Sequence, residues 1–495
     1  KLASIDGLDD YKIDKDINKG SLTPANHSND DYVFTKYLNV QKAKVNLMGK
    51  NVTAHLNGTQ LNEIGIQTPV GLDMNSSATA TNRNQTGITL HNGSTVSADR
   101  TDDGAGAVGL FINYGEAKVN SGATVNVEKS GINRENEGAV GIFAVNDSSV
   151  DNDGTINVGG KNSIGILGLS YRTDRTGLKI NEFRQTTTTH GDIDVKNNSQ
   201  LNLNGESAVG IYVENNDNTG AAHDVKGENT ATGTITMTGT KAVGMAAKKG
   251  NITNSGTLNM TGAEQGVGMF GDVSGTLTNN GTISTGDAAT ESALRIGMFT
   301  TNAGVGIVNN GTINGNANKQ VALTLTPEGG QGNYTGSVHT LQNNSTITMI
   351  GDDSTAINIV NFKETTGKNT NSASSTGFKN DLKTVAINAG TITLNGKNSY
   401  GIAFGALDGT NSRVSELKDN SVFRNQGTIN INGDSSGGIA VKLAKSWSGA
   451  RTIGGTLENV SGGTITIKGK NSFGIYTEEI SGTNSGNINI EGTKD

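Results

Sequence analysis

The stretch GTITMTGTKAVGMAAKKGNITNSG, residues 233–256, contains three short patterns that recur along the chain in a fixed order. The first pattern is Gly-Thr-Ile-x-apolar, the second is small-apolar-Gly-Ile or -Met, and the third is apolar-x-Asn-x-Gly. The first pattern returns at Gly256 and again at Gly281, 23 and then 25 residues later. Such a period is typical of solenoid proteins, in which each repeat is one supersecondary unit.

Each pattern predicts one short β-strand, because apolar and polar residues alternate within it. In the first pattern Ile235 and Met237 are apolar, whereas Thr234 and Thr236 are polar. A single repeat cannot bury its apolar face, but stacked repeats can. We therefore predict an all-β fold, a parallel β-helix with three short strands per coil. The crossover rule for parallel strands predicts that the helix is right-handed.

The Asn of the third pattern occupies the same place in several repeats. Stacked Asn side chains can hydrogen-bond to one another along the helix axis, and Asn also tolerates the left-handed backbone of a tight corner. We predict an asparagine ladder at one corner. The alternative is that Asn is only an ordinary turn residue there. The pattern places these residues at Asn152, Asn254, Asn279, Asn309 and Asn425.

The tetrapeptide Gly-Lys-Asn-Ser occurs at 160–163, 396–399 and 469–472, each time between the first and second patterns. It is either a ligand-binding signature or a recurrent turn. Because it always joins the same two strands, we interpret it as a turn.

The composition limits the function classes. The chain has 495 residues, no Cys, 4% aromatic residues, 17% charged residues and a net charge of −7. Without Cys there is no disulfide, thiolate metal site or Cys nucleophile. The net negative charge does not indicate a basic surface of the kind that binds nucleic acid. No apolar run approaches the roughly 20 residues of a membrane helix. We expect no catalytic residue, no metal and no cofactor.

The repeats predict two regions. Residues 1–90 match them poorly and are expected to form an N-terminal cap and irregular first coils, because a solenoid needs its open end covered. Residues 91–495 are expected to form the β-helix and to continue C-terminally in the native chain. The longest departures from the period all follow the second strand, and they lie at 168–190, 214–230, 361–381, 405–421 and 442–454.

Insertions at one corner of a stacked coil form a single ridge, and insertions on one face often mark the binding face of a repeat protein. The alternative is a corner that merely tolerates insertions. Aromatic and Arg side chains dominate binding hot spots. The ridge residues of these types that we expect to bind a ligand are Tyr171, Arg172, Arg175, Trp447 and Arg451.

Three segments resemble functional motifs. GAGAVG at 104–109 spells a dinucleotide fingerprint, but no helical period follows it, as that motif requires. GDSSG at 433–437 resembles a serine-protease loop, yet it aligns with the Gly-Lys-Asn-Ser turn. DKDINKG at 14–20 lacks the Gly and Glu of a calcium loop, so only a weak calcium site near Asp14 and Asp16 stays open.

The Gly-Thr-Ile, Ala-Val-Gly-Ile and Ile-Thr-Asn-Ser-Gly units resemble the passenger domains of giant fusobacterial outer-membrane autotransporter adhesins of the RadD type. The resemblance covers about residues 90 to 495. It implies type V secretion, with a signal peptide and a C-terminal β-barrel, neither of which is found in this sequence. It also implies a location on the extracellular face of a Gram-negative outer membrane.

The function that the resemblance implies is non-enzymatic adhesion, as in virulence, through loops on a β-helical rod. The expected partner of this monomer is a host-cell receptor or glycan, or a surface protein of another bacterium. One alternative is a structural spacer that carries an adhesive tip elsewhere. Another is a β-helical polysaccharide-degrading enzyme, although we find no paired carboxylates on one outward face of the kind such an enzyme needs.

Overall fold

The regular structure of the chain is β throughout the part that the structure describes. No described residue lies in a helix that could span a membrane. The computed structural model describes residues 11–13, 17–18, 37–40, 44–47, 70–75, 87–93, 95–98, 108–113, 115–127, 138–170, 191–217, 222–287, 292–302, 304–325, 338–359, 383–404, 421–441, 455–478 and 480–492.

Two units divide the chain, Lys1–Leu258 and Asn259–Asp495. The strands that begin in the first unit are β1 Tyr11–Ile13, β2 Ile17–Asn18, β3 Tyr37–Val40, β4 Lys44–Leu47, β5 Val70–Asn75, β6 Gly87–Leu90, β7 Thr95–Ala98, β8 Val108–Asn113, β9 Glu116–Val119, β10 Thr124–Val127, β11 Val140–Val145, β12 Ser148–Asn152, β13 Thr155–Val158, β14 Ile164–Leu169, β15 Ile193–Asn197, β16 Gln200–Leu203, β17 Val209–Glu214, β18 Val225–Asn229, β19 Thr234–Met237, β20 Val243–Lys248, β21 Asn251–Asn254 and β22 Thr257–Met260.

The second unit continues the same alternation of strand types. Its strands are β23 Val267–Asp272, β24 Ser274–Asn279, β25 Thr282–Thr285, β26 Ser292–Thr300, β27 Gly304–Asn309, β28 Thr312–Gly315, β29 Asn318–Leu325, β30 Val338–Asn343, β31 Thr346–Met349, β32 Thr355–Ile359, β33 Lys383–Asn388, β34 Thr391–Leu394, β35 Tyr400–Phe404, β36 Val422–Asn425, β37 Thr428–Ile431, β38 Gly437–Val441, β39 Thr456–Asn459, β40 Thr464–Ile467, β41 Phe473–Thr477, β42 Ser481–Asn484 and β43 Asn487–Ile490.

Within each unit the strands form three parallel sheets, one for each sequence pattern. Sheet 1 holds the Gly-Thr-Ile strands, sheet 2 the Gly-Ile strands and sheet 3 the Asn strands. In the second unit the orders are β25-β28-β31-β34-β37-β40-β43 for sheet 1, β23-β26-β29-β32-β35-β38-β41 for sheet 2 and β24-β27-β30-β33-β36-β39-β42 for sheet 3.

The first unit has the same arrangement. Its orders are β2-β4-β7-β10-β13-β16-β19 for sheet 1, β5-β8-β11-β14-β17-β20 for sheet 2 and β1-β3-β6-β9-β12-β15-β18-β21 for sheet 3. From β3 onward, every third strand pairs with its equivalent in the next coil. Each unit is therefore a right-handed parallel β-helix with three strands per coil, and the predicted fold is confirmed. Strands of residues 1–90 belong to the same three sheets.

The core lies between the three sheets. In strand β34, Ile392 and Leu394 are fully buried, whereas Thr391 and Thr393 are partly exposed. The same alternation recurs in the neighbouring strand β37, where Ile429 and Ile431 are buried. Burial of one such side chain contributes roughly 1.5–3 kcal/mol, and the repetition of this pattern stabilises each coil against its neighbours.

The asparagine ladder is present in both units. In the first unit, Asn152 Nδ2 donates to Asn197 Oδ1 at 2.7 Å, and the chain of bonds continues through Asn229 to Asn254. In the second unit it runs through Asn279, Asn309, Asn343, Asn388, Asn425, Asn459 and Asn484 at 2.7–2.8 Å. The prediction is confirmed, and it named only part of the ladder. The Asn-x-Gly pattern is absent at four of the missed residues, whereas two others carry it and were overlooked; the four are Asn197, Asn229, Asn343 and Asn459, and the two are Asn388 and Asn484.

The Gly-Lys-Asn-Ser segments form the corner between sheets 1 and 2. Asn162, Asn398 and Asn471 have φ values of 54°, 52° and 55°, in the left-handed region that Asn tolerates. The Ser that follows this Asn holds the corner in place through hydrogen bonds of its hydroxyl group. Ser399 Oγ donates to the Lys397 carbonyl oxygen at 3.1 Å and accepts the N–H of residue 354 at 3.2 Å. The repeated tetrapeptide is therefore a turn.

The predicted insertions occur where the chain passes from a strand of sheet 2 to the next strand of sheet 3. One expected insertion, 214–230, contains strand β18 in its last part, so the departure from the coil ends before Val225. The strand lacked an apolar signal because its central inward residue is Gly227. A Cβ at this position would lie 3.0 Å from Ile211 Cγ2 and 3.4 Å from Ile252 Cγ2, so a larger side chain would be crowded.

Candidate ligand-binding surface

The corner between sheets 2 and 3 is where the predicted binding ridge would begin. At the first long insertion the two ends lie side by side, since the Gly191 N–H donates to the Ser170 carbonyl oxygen at 3.1 Å. The residues beyond these ends lie outside the described part of the chain. This applies to all five candidate binding residues, which are Tyr171, Arg172, Arg175, Trp447 and Arg451.

The outward face of sheet 2 is the described surface that adjoins this corner, and it is rich in apolar and aromatic residues. In the register of the second unit, Val267, Ile296, Val321, Thr355, Tyr400, Gly437 and Phe473 form one outward row. A second row in the same register consists of Phe270, Phe299, Thr324, Asn358, Ala403, Ala440 and Tyr476. Of these, Thr324, Ala403 and Ala440 are buried.

Three aromatic rings of this face form a continuous ledge. The Tyr400 and Phe473 ring centroids are 6.2 Å apart, and those of Phe473 and Tyr476 are 5.8 Å apart, with tilts of 50° and 56°. Tyr400 lies on β35 and Phe473 on β41, with β38 between them. The two strands are therefore about 9.6 Å apart at the usual strand spacing. Their rings therefore lean towards each other across Gly437, which lies in the coil between them.

Glycine at position 437 is required for this arrangement. A Cβ there would clash with Phe473 Cζ and would lie 3.0 Å from Tyr400 Cδ1. The absence of a side chain at Gly437 thus lets two aromatic side chains from separate coils form one surface. We call the surface of Tyr400, Phe473 and Tyr476, with Glu478 at its end, the aromatic ledge.

Carboxylates border the aromatic ledge. The Tyr476 hydroxyl donates to Glu478 Oε1 at 2.6 Å, and this hydrogen bond raises the pKa of Tyr476, as does the negative charge of Glu478. Burial is the larger cause of the raised pKa of Tyr400, and the charge of Asp353 adds to it. Both phenols therefore remain protonated hydrogen-bond donors at neutral pH.

A related arrangement occurs in the first unit. The Tyr212 hydroxyl donates to Glu214 Oε2 at 2.8 Å, two residues along the same strand, and Lys248 Nζ lies 3.3 Å from Glu214 Oε1. Beyond this strand, His223 Nε2 lies 2.8 Å from Asp217 Oδ2, whose side chain is fully buried. The pair ties the segment after sheet 2 back onto itself.

The described parts of the serine-protease-like and dinucleotide-like segments belong to the scaffold, whereas Asp14 and Asp16 lie outside the described part of the chain. Ser436 is buried, and its Oγ donates to the carbonyl oxygens of Gly396 and Asp434 at 3.2 and 3.1 Å. Val108–Asn113, at the end of the GAGAVG segment, is a strand. Within the described part of the chain, no group of three or more His, Cys, Asp or Glu could hold a metal ion.

The residues of the aromatic ledge were not among the predicted binding residues. A signal for them was present in the sequence, because SYGI at 399–402 and SFGIY at 472–476 have an aromatic residue where most repeats have Val or Ile. The sequence did not show how many coils separate Tyr400 from Phe473, so it did not show that their rings are close.

The fold and its surface define the class of protein, a right-handed parallel β-helical domain with an aromatic outward face. One family model, the BigA third pectate lyase-like domain, matches residues 17–269 and also 174–326. The first match covers more than half of the chain, and the chain belongs to this family. The match fits a β-helical passenger domain of a bacterial surface, autotransporter-like protein. No curated protein and no solved structure matches the chain.

Proposed function

We propose that the chain is a passenger segment of a cell-surface adhesin that binds other bacteria, or glycans or receptors of host cells, without catalysis. The location that this implies is the extracellular face of a Gram-negative outer membrane. Within this proposal the finer identity is a passenger of the giant fusobacterial RadD type, which rests on the resemblance of the repeats.

The observation that carries the proposal is the aromatic ledge beside the corner where the insertions leave the coil. Aromatic side chains supply large contact areas at low entropic cost and are frequent in binding hot spots. Tyr400, in the interior strand β35, is only partly buried, and its ring lies beside that of Phe473 across Gly437. An exposed aromatic surface next to long insertions supports a role in recognition.

Two other functions have support of their own. The regular Thr- and Asn-bearing face of sheet 1 in the described coils of the second unit favours a structural spacer, because there it offers neither charge nor aromatic groups to a partner. The words "pectate lyase-like" in the family description favour a polysaccharide-degrading enzyme. Turnover of a polysaccharide by the purified chain, lost on exchange of one surface carboxylate, would establish the enzyme and overturn the adhesin.

Deletion of the insertions tests the adhesin against the spacer. The segment 171–190 can be removed and replaced by a two-Gly link, because its ends already hydrogen-bond to each other at Gly191 and Ser170. The segment 442–454 is removed in a second variant. We expect at least one deletion to reduce binding of the purified chain to bacterial or epithelial cells. Unchanged binding in both, with an unchanged β-rich circular dichroism spectrum, favours the spacer.

A further inference from the structure

We propose that the aromatic ledge of the second unit is a carbohydrate-binding site for neutral sugars that discriminates against acidic ones. The inference rests on the proposed function, because it names the ligand class of an adhesive surface, and it adds the site and its charge selectivity. The site consists of Tyr400, Phe473 and Tyr476, with the carboxylates of Glu478 and Asp353 at its border.

The ledge has the dimensions of an extended ligand. Its three ring centroids are separated by successive distances of 6.2 and 5.8 Å. Two neighbouring sugar rings of one chain could therefore lie along it. Because the three rings are tilted by 50° and 56° rather than stacked face to face, parts of their faces remain available to a ligand.

The chemistry of the rings suits a sugar. The face of an aromatic ring carries partial negative charge, and the C–H groups on the apolar side of a pyranose carry partial positive charge. Packing of the two faces removes apolar area from water on both sides. Binding sites of this kind combine apolar and aromatic walls with a few polar groups that fix the orientation of the ligand.

The polar group at this ledge is the Glu478 carboxylate. A carboxylate has two oxygens and about four acceptor positions, so it can accept the Tyr476 hydroxyl and a sugar hydroxyl together. Hydrogen bonds to a charged acceptor are stronger than neutral ones. The position of Glu478 is fixed by the 2.6 Å hydrogen bond from Tyr476, and the orienting group is thus placed before the ligand arrives.

The charge at the ledge determines which sugars it accepts. Glu478 accepts the Tyr476 hydroxyl at 2.6 Å. Asp353 lies two residues before Thr355, the register neighbour of Tyr400, and its Oδ1 accepts from Asn398 Nδ2 at 3.3 Å in the turn before Tyr400. Lys397 and Lys470 lie in the turns before β35 and β41. Each of these turns also holds a carboxylate, because the backbone N–H groups of Lys397 and Lys470 donate to Asp352 Oδ1 at 2.7 Å and Asp434 Oδ1 at 2.8 Å, so the two lysine charges do not make the surroundings of the ledge net positive. A uronic acid or sialic acid would bring a second negative charge to Glu478, and like charges in contact disfavour binding.

The chain itself supplies the variant that tests the ledge. At the register positions of Tyr400 and Phe473, the same sheet has Val267 and Val321. The double variant Tyr400→Val/Phe473→Val therefore removes the rings and installs a residue that this scaffold already uses. Phe270→Val is the matched control, because Phe270 belongs to a separate aromatic pair with Phe299, 5.4 Å apart.

The experiment is calorimetric titration of the 495-residue chain with neutral tetrasaccharides of glucose, galactose or N-acetylglucosamine, and with tetragalacturonic acid. We expect binding of a neutral member, a loss of about tenfold or more in the double variant, and no change in Phe270→Val. We expect no binding of tetragalacturonic acid, and weaker discrimination against it in Glu478→Gln.

Three results would overturn the inference. They are no binding of any tetrasaccharide, equal binding by the double variant, and tetragalacturonic acid bound as tightly as the neutral sugars. If the double variant has a lowered melting temperature, Tyr476→Ala serves in its place, since Tyr476 is the most exposed of the three rings. Binding to whole cells is measured in parallel. If the chain binds cells but no tetrasaccharide, the result contradicts the carbohydrate site and agrees with the adhesin proposal.

Discussion

The outward faces of sheet 1 and sheet 2 are built on the same coils, but they carry different side chains. In the second unit the outward residues of sheet 1 are Thr, Asn or Ser in every described coil, as in Thr391-x-Thr393 and Thr428-x-Asn430. The outward residues of sheet 2 range from Gly437 to Phe473. The outward residues of sheet 1 are nearly the same from coil to coil, whereas those of sheet 2 differ.

Backbone physics accounts for the repetition on sheet 1. Thr is β-branched and fits a pleated, half-exposed surface, and stacked Thr pairs stabilise adjacent strands. The variation on sheet 2 needs another cause, because the same backbone would accept Val or Thr in every coil. We infer that the face of sheet 1 serves the scaffold and the face of sheet 2 serves recognition, and the following predictions test that contrast.

The largest expected effect is on the core side of sheet 1. Ile392→Ala should lower the free energy of unfolding of the second unit by about 2–5 kcal/mol, because it leaves a cavity among fully buried side chains. The adjacent outward change Thr393→Ala should alter it by no more than about 0.5 kcal/mol. Urea denaturation followed by circular dichroism measures both, and equal effects would contradict the assigned faces.

The asparagine ladder should come next in magnitude. Asn388→Ala removes the acceptor for Asn343 and the donor to Asn425, and each orphaned buried group costs roughly 1–3 kcal/mol. The control is Asn432→Ala, which breaks an exposed Asn–Asn bond of the same length, 2.8 Å, to Asn395. We expect little change in the urea midpoint for the control. A ladder variant as stable as the control would show that the buried ladder is dispensable.

The corner between sheets 1 and 2 should respond to backbone conformation. Asn398 has a φ of 52°, and Ala in this region costs about 1–2 kcal/mol, whereas Gly adopts it freely. Asn398→Ala should therefore lower the melting temperature more than Asn398→Gly. The opposite order would mean that the Asn side chain, rather than the backbone, determines the corner.

The smallest effect concerns the ledge at high pH. The pKa of the Tyr476 phenol is raised, so its protonated form is favoured in the folded chain. The stabilising hydrogen bond to Glu478 is present at neutral pH, and it is lost as the pH rises through the raised pKa. Glu478→Gln should lower that pKa. NMR titration of the Tyr Cζ signals, assigned with Tyr476→Phe, measures it, and an unchanged pKa would remove Glu478 as the cause.

Much of the fold was predictable because its signals are local. Alternation within four residues located the strands of sheet 1, and the Asn-x-Gly pattern located part of the ladder. Strand β18 was missed because Gly227 replaces the apolar inward residue. The aromatic ledge was not predictable, since Tyr400 and Phe473 become neighbours only through the stacking order and the glycine between them. Sequence distance does not contain that information when insertions of unequal length intervene.

The measurement that tests the central contrast most directly is cell binding by two matched lysine variants. Tyr400→Lys/Phe473→Lys alters the face of sheet 2, and Thr391→Lys/Thr464→Lys alters the face of sheet 1. Both pairs are two coils apart in the register. We predict that the sheet 2 variant loses binding to bacterial or epithelial cells by about tenfold or more, while the sheet 1 variant binds like the unaltered chain. Equal losses, or a loss confined to the sheet 1 variant, would contradict the assignment of recognition to sheet 2.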